Sequence, residues 1–137
     1  MSQELLKAYH QALYAVHLPT GEMILKVGER NQNLIELLNG QQAEAWAFIT
    51  GANPKSQVLS EAENRSRNEQ LIAFLKKEQY VFYEGEGRSF DGNWPSEKSF
   101  LVLGISEKEA VHLAKHFNQA GLLIGTSSGV PVLRMLE

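Results

Sequence analysis

Apolar and polar residues alternate near the start of the chain, with the period of a half-buried strand. The alternation runs from Ala12 to Leu18, and successive side chains of a strand point to opposite faces. A turn signal follows at Pro19–Gly21, and an apolar segment from Met23 to Val27 predicts the second strand of a hairpin. We expect a short helix over residues 3–8 before the hairpin and another over residues 31–38 after it.

The rest of the chain alternates short apolar segments with amphipathic helices. Two capping boxes mark helix starts, because in each box a Ser and a Glu three residues later satisfy each other's backbone amides. These boxes are Ser60 with Glu63, and Ser106 with Glu109. The stretch 85–95 is rich in Gly and polar residues and predicts a loop. The predicted elements are a strand at 45–50, a helix at 60–77, strands at 80–84 and 99–105, a helix at 107–118, and strands at 122–125 and 130–136.

The order of these elements from residue 45 onward is β-α-β-β-α-β, which is typical of a ferredoxin-like core. Right-handed crossovers would place the helices mainly on one face of an antiparallel sheet. The N-terminal hairpin with its short helix, and the C-terminal strand, would extend or cover that sheet. The sequence therefore predicts an α+β fold with a ferredoxin-like core, and residues 1–137 are expected to form a single domain.

The helix predicted over residues 60–77 has an inward face that changes character along its length. Its second half carries an apolar stripe made of Leu71, Ile72, Phe74 and Leu75. Two turns earlier the same stripe carries Asn64, Arg67 and Asn68. An unpaired polar group on an inward face costs several kcal/mol, so these side chains must be paired or must face a cleft.

Two interpretations of this polar face are open. In the structural one, Arg67 pairs with a carboxylate such as Glu97, and Asn64 ties down the loop at Asn53. In the functional one, the loop, the helix N-terminus and Arg67 hold a polar or anionic ligand, because free amides and the helix dipole favour anions there. Trp94 beside a proline is either an anchor of a binding surface or a side chain that pins its loop. The candidate ligand-binding residues are Asn53, Ser56, Asn64, Arg67, Trp94 and Glu97.

Several short motifs surround these candidates. They are Ile49-Thr50-Gly51-Ala52-Asn53-Pro54-Lys55-Ser56, Leu59-Ser60, Glu63-Asn64 with Arg67, Gly85-Glu86-Gly87, Trp94 with Glu97, Ser99-Phe100-Leu101-Val102-Leu103-Gly104, and Phe117-Asn118-Gln119. Together they resemble a bacterial family catalogued as domain of unknown function 3293, over residues from about Tyr9 to Ile124. Gly51-Ala52 and Asn118 depart from the usual pattern of that family. The family brings no established activity, so the resemblance implies a location for the site and no catalytic residue.

The amino-acid composition excludes several classes of function for this chain. The chain has 43% hydrophobic and 21% charged residues, which is typical of a globular domain. It has no cysteine, which excludes disulfides, thiolate metal sites and cysteine nucleophiles. No secretory signal begins the sequence, and no segment approaches the roughly 20 apolar residues of a membrane span. We therefore expect a soluble cytoplasmic protein that makes no membrane contact.

Other chemistry is less well supported by the sequence. His112 and His116 have a spacing that can chelate a metal, but they lie opposite an apolar stripe, so we expect no metal and no cofactor. Phe48, Tyr83 and Phe100 are aromatic strand residues of the kind that stack on RNA bases. Their flanks are not basic and the net charge is −3, so we expect no nucleic-acid binding on electrostatic grounds.

Two functions follow as hypotheses. The first is a binding or regulatory module for a small polar or anionic ligand or a protein partner, and a homo-oligomer is compatible with it. The second is an enzyme acting on a small anionic substrate, with Arg67 as the anion clamp, Glu97 as acid or base, and Asn53 and Asn64 orienting the substrate. A carboxylate near an arginine stays ionised, which favours a clamp partner over a general acid.

Overall fold

A computed structural model describes residues 3–136, which form four α-helices and seven β-strands. The helices are α1 (Gln3–Gln11), α2 (Gln32–Gly40), α3 (Glu61–Lys77) and α4 (Glu107–His116). The strands are β1 (Leu13–Leu18), β2 (Gly21–Leu25), β3 (Ala45–Ile49), β4 (Val81–Arg88), β5 (Glu97–Leu103), β6 (Gly121–Thr126) and β7 (Val132–Met135). A short 3-10 turn, Pro54–Ser56, follows β3.

The strands form an antiparallel sheet in the order β2-β1-β4-β5-β3-β6-β7, which curls into a half-barrel. Two backbone hydrogen bonds connect the segments next to its two edge strands. Gly28 N donates to Pro131 O at 2.8 Å, and Asn31 N donates to Gly129 O at 2.9 Å. The chain just after β2 therefore lies against the chain just before β7, and the curl of the sheet is fixed by these contacts.

The inner face of the half-barrel packs on α2. Leu34 and Leu38 of α2 are fully buried in a cluster that gathers side chains from both ends of the sheet. The strand residues of this inner core are Tyr14, Val16, Met23, Leu25, Trp46, Phe48, Leu101, Leu103 and Leu123. Because strand residues alternate between faces, the intervening residues of β3, β5 and β6 point the other way.

The outer face packs on α3 and α4. Leu71 and Leu75 of α3 and Leu113 of α4 are buried there against alternate residues of the central strands. These strand residues are Ala47, Ile49, Phe100, Val102, Leu122 and Ile124. Phe74, predicted to lie on the buried stripe of α3, is instead 37% exposed. The central strands are thus covered by helices on both sides.

The predicted α+β class is confirmed, but the ferredoxin-like core with helices mainly on one face is wrong. The hairpin β1–β2 and the strand β7 hydrogen-bond onto the sheet and give it seven strands within residues 3–136. The apolar side of α2 is clear in the sequence, but the pattern does not show which face of the sheet it covers. It fills the inner face, which a ferredoxin-like sheet leaves open.

Two element boundaries differ from the sequence prediction in a way that matters for the site. Strand β4 continues through Gly85 to Arg88, inside the stretch predicted as loop. Strand β5 begins at Glu97 rather than at Ser99. The glycines of β4 therefore lie in the sheet, opposite residues of β1 and β5.

None of the helices within residues 3–136 is both long enough and apolar enough to cross a membrane.

Replacing Leu34 by Ala tests the packing of α2 on the inner face. We expect Leu34→Ala to lower the free energy of unfolding by about 2–5 kcal/mol, because it leaves a cavity in the inner core. The matched control Leu6→Ala removes a partly exposed side chain from α1 and should cost under about 1 kcal/mol. Urea denaturation followed by circular dichroism measures both. A similar small loss at the two positions would contradict this packing.

Candidate functional site

One row of residues on the inner face leaves a gap at its centre. Tyr14 of β1 pairs with Gly87 of β4, and Gly87 pairs with Glu97 of β5. Residues directly opposite one another in a sheet point to the same face, so Tyr14 and Glu97 flank a position that has no side chain. A Cβ atom added at Gly87 would meet no atom within 4 Å. The space above Gly87 is therefore open.

This space belongs to a cavity of about 140 Å³. Tyr9 of α1 and Tyr14 form one side of it, and Asn53, Ser56 and Trp94 come from the loops that follow β3 and β4. The ring of Tyr14 also contacts Phe48 edge to face, with 5.5 Å between ring centroids. The cavity therefore borders directly on the inner core.

Glu97 brings a carboxylate to this cavity, held by an amide. Asn53 Nδ2 donates to Glu97 Oε2 at 2.8 Å. The orientation of that amide is fixed, because Asn53 Oδ1 accepts from Leu59 N at 3.0 Å and from Asn64 Nδ2 at 2.8 Å. Burial raises the pKa of Glu97 above its ordinary range, and the hydrogen bond from Asn53 offsets part of this rise.

Arg67 does not pair with Glu97. Its Nε donates to Gly51 O at 2.5 Å, and its guanidinium also donates to Phe117 O. The guanidinium carbon lies 5.9 Å from the centroid of the Phe117 ring. The ion pair predicted as one interpretation is therefore wrong, because backbone carbonyls on two sides of Arg67 take its donors.

The other two polar residues of the α3 stripe also bind the backbone of the loop after β3. Asn64 Oδ1 accepts from Asn53 N at 2.9 Å, which is the structural role predicted for Asn64. Asn68 is buried, and its Oδ1 accepts from Gly51 N at 2.8 Å while its Nδ2 donates to Lys98 O at 3.3 Å. The inward polar groups of α3 are thus paired within the fold.

The loop after β3 has an unusual backbone. Asn53, Lys55 and Ser56 have positive φ angles of 47°, 49° and 63°, and each such residue costs on the order of 1–3 kcal/mol unless its surroundings impose it. Lys55 N donates to Asn118 O at 2.7 Å, and the hydroxyls of Tyr9 and Ser56 share a hydrogen bond of 3.0 Å. These contacts hold the loop in a shape that presents Asn53 and Ser56 to the cavity.

Exposed apolar side chains surround the mouth of the cavity. Val58 is 68% exposed, Phe90 71% and Trp94 52%. Val58 and Trp94 line the cavity, and Phe90 lines the groove that continues from Trp94. Trp94 is therefore not pinned into the core. Apolar side chains grouped in this way on a surface are typical of a binding site.

The structure divides the six predicted site residues into two groups. Four of them, Asn53, Ser56, Trp94 and Glu97, line the cavity. Asn64 lines an adjoining cavity of about 400 Å³, whereas Arg67 lines neither one. Sequence reasoning missed three residues of the site, which are Tyr9, Tyr14 and Gly87. The signal for the last was the glycine pair at alternate positions 85 and 87, which in a strand leaves one face without side chains.

The remaining aromatic and histidine candidates lie elsewhere. Phe48 and Phe100 are buried and Tyr83 is half-buried against the inner core, so they form no platform on which bases stack. His112 and His116 are exposed on α4. Across residues 3–136 no three His, Asp or Glu side chains are grouped as a metal site requires.

A known family matches more than half of the chain. Residues 49–122 match the family described as "Protein of unknown function (DUF3293)", which is more than half of the 137 residues. The chain belongs to the DUF3293 family. The resemblance seen in its motifs is thereby confirmed. No curated protein and no solved structure matches the chain.

The DUF3293 match covers one wall of the cavity. It includes α3, β4, β5 and α4, and with them Asn53, Gly87 and Glu97. The opposite wall, which carries Tyr9 and Tyr14, belongs to α1 and β1 and precedes the matched range. The cavity therefore forms where the family region meets the N-terminal elements.

Arg67 is expected to act on stability. Arg67→Ala should lower the free energy of unfolding by about 2–4 kcal/mol, because it leaves two backbone carbonyls without a charged donor. Arg67→Lys should recover less than half of this loss, since an ammonium lacks the forked geometry that reaches both carbonyls. The control Arg65→Ala, at an exposed ion pair with Glu61, should stay within about 0.5 kcal/mol. Full recovery with lysine in urea denaturation would count against this role.

Glu97 is expected to lower stability once it ionises. Its folded-state pKa is raised, so the folded protein binds the proton more tightly than the unfolded chain does. The cost therefore appears as pH rises through the ordinary carboxyl range to the raised pKa, and it persists above that pKa. Glu97→Gln cannot ionise and keeps an oxygen for Asn53. The Tm of this variant should exceed that of wild type at about pH 7 and approach it at about pH 4.

The matched control for this pH dependence is Glu84→Gln. Glu84 is exposed and pairs with Lys98 at 3.3 Å, so its removal should give no gain in Tm that grows with pH. A gain for Glu97→Gln that is the same at both pH values would show that the raised pKa is not its cause.

Proposed function

We propose that this protein is a binding module whose cavity above Gly87 receives a small molecule with an apolar body. The observation that carries the proposal is the open position at Gly87 between Tyr14 and Glu97. A sheet face buried elsewhere by a helix is left unfilled at this point. The cavity has apolar walls and a few polar groups, as ligand sites commonly do.

The size of the cavity sets the size of the ligand. Its volume is about 140 Å³, and a cavity of about 150 Å³ in a protein interior holds one benzene molecule. The exposed side chains of Val58 and Trp94 at its mouth would cover a ligand that extends beyond it. The best-fitting ligand therefore has a body of about one ring.

An anionic ligand is not part of this proposal. Arg67, the predicted clamp, donates to the backbone carbonyls of Gly51 and Phe117. Arg88 lines the cavity but binds both carboxylate oxygens of Glu22, at 2.9 and 2.7 Å. The alternative of an enzyme that clamps an anionic substrate with Arg67 loses its basis for the same reason.

Other expectations from the sequence stay predictions. These are a bacterial source, a cytoplasmic location, a single domain, a protein partner and assembly into a homo-oligomer.

Ring-sized probes test the proposed function. We expect at least one of benzylamine, benzyl alcohol and benzoate to shift the backbone amide NMR signals of Gly87, Glu97 and their neighbours. A dissociation constant on the order of 1 mM is reasonable for a molecule this small. Gly87→Leu should abolish these shifts, because its Cβ meets no atom within 4 Å and the rest of the new side chain would occupy the cavity.

Gly40→Leu is the matched control for this experiment. A Cβ at Gly40 also meets nothing within 4 Å, and Gly40 lies at the end of α2, away from the cavity walls. This variant should bind the probes as wild type does. If none of the three probes shifts these signals, or if Gly87→Leu binds them unchanged, the proposed function is wrong.

A further inference from the structure

The cations that line the cavity and the adjoining cavity of about 400 Å³ each lie near a carboxylate. Arg88 lines the cavity itself and binds Glu22, and it also binds Glu86 at 3.0 Å. Two more cations line the adjoining cavity, and each of them lies within ion-pair distance of a surface carboxylate. They are Lys98, at 3.3 Å from Glu84, and Arg65, at 3.9 Å from Glu61. None of these pairs includes Glu97.

One oxygen of the Glu97 side chain, which lines the cavity, accepts no hydrogen bond within the described part of the chain. Its Oε2 accepts from Asn53, whereas its Oε1 has no hydrogen-bond partner among residues 3–136. No fully enclosed side-chain oxygen or nitrogen in the described part of the chain lacks a partner, so Oε1 is not sealed inside the protein. Glu97 lines the cavity above Gly87, the adjoining cavity of about 400 Å³ and a third, smaller one of about 40 Å³. This oxygen is thus an acceptor that a ligand can reach.

Aromatic side chains accompany this carboxylate. Tyr9, Tyr14 and Trp94 line the same cavity, and the faces of aromatic rings attract cations. The Tyr14 hydroxyl donates to Tyr9 O at 2.6 Å, and the Tyr9 hydroxyl bonds with Ser56. The two phenols therefore have their hydroxyl groups engaged within the protein, and they contribute ring surface to the cavity.

We propose that the cavity selects a small free amine, with its ammonium group at Glu97 and its apolar body above Gly87. This inference rests on the proposed function and specifies in addition that the ligand is positively charged. An anion would meet the Glu97 carboxylate, while the cations that line the two cavities (Arg88, Lys98 and Arg65) are paired with carboxylates of their own. A neutral molecule fills the same space but leaves Glu97 without a counter-charge, which is costly for a partly desolvated carboxylate.

The three ring-sized probes separate these cases, because they share a ring and differ in charge. Benzylamine is a cation at neutral pH, benzyl alcohol is neutral and benzoate is an anion. We expect benzylamine to bind wild type at least about tenfold more tightly than benzyl alcohol, with benzoate weakest; tenfold corresponds to about 1.4 kcal/mol. NMR titration of the backbone amide signals gives all three dissociation constants.

Two glutamine variants assign the preference to one carboxylate. Glu97→Gln should bring benzylamine and benzyl alcohol to similar affinities, because the amide keeps the shape and hydrogen bond of Glu97 without its charge. Glu69→Gln, a control at an exposed carboxylate of α3 that lines neither cavity, should keep the wild-type preference. Unchanged benzyl alcohol binding by Glu97→Gln would show that the variant folds and that its cavity is intact.

The outcomes distinguish the two proposals. If benzyl alcohol or benzoate binds wild type as tightly as benzylamine, or if Glu97→Gln keeps the preference for benzylamine, the amine assignment is overturned and the binding cavity stands. The source of the ammonium group is tested with N-acetyl-lysine methylamide, which presents a peptide lysine. If this lysine analogue binds more tightly than benzylamine, the ligand is a protein segment and the assignment of a free amine is wrong.

Discussion

The buried loop after β3 imposes the hydrogen-bonding requirement on which the site depends. Gly51 and Ala52 are enclosed, where water cannot satisfy their peptide groups, and an unmet buried donor or acceptor costs about 1–3 kcal/mol. Side chains form the hydrogen bonds instead. Asn68 and Arg67 bind the backbone of Gly51, and Thr50 and Gln119 bind the backbone of Ala52. An added Cβ at Gly51 would lie 3.0 Å from Arg67 O, so the loop packs closely on α3.

A series of hydrogen bonds connects this loop to the cavity. Asn64 fixes Asn53 from one side, so the amide nitrogen of Asn53 faces Glu97. The polar half of the α3 stripe and the carboxylate in the cavity therefore belong to one hydrogen-bonded chain. The structural and the functional interpretations of the polar face of α3 describe different members of this hydrogen-bond network. Arg67 and Asn68 support the backbone, whereas Asn53 and Glu97 line the cavity above Gly87.

Local patterns in the sequence were sufficient for the parts of the fold that depend on local chemistry. The capping box of Ser60 and Glu63 is present in full at the start of α3, because it involves residues of a single turn. The helical wheel placed Asn64 and Arg67 on the inward side of α3, where the structure has them. It did not identify the partner of Arg67, since any nearby backbone carbonyl competes with a carboxylate and the sequence does not mark which one is close.

Features that depend on distant pairing had no comparable signal. Tyr14 reaches the site only because β1 pairs with β4, about 70 residues further along the chain. The curl of the sheet likewise depends on contacts between residues near Gly28 and Pro131. Nothing in the sequence of either segment indicates that the other is its partner. Gly85 and Gly87 suggested a loop because glycine is common in loops, and their place in a strand follows from the partners on both sides.

The glycine at position 87 affects the shape of the cavity without contributing to the packing around it. Most residues that shape a cavity also support the packing around it, so changing them alters ligand preference and stability together. Gly87 has a side chain of one hydrogen atom, an extended backbone and free space above it. A Cβ at this position would therefore narrow the cavity without displacing a neighbouring atom. The space inside the cavity and the stability of the fold therefore depend on different residues at this point of the sheet.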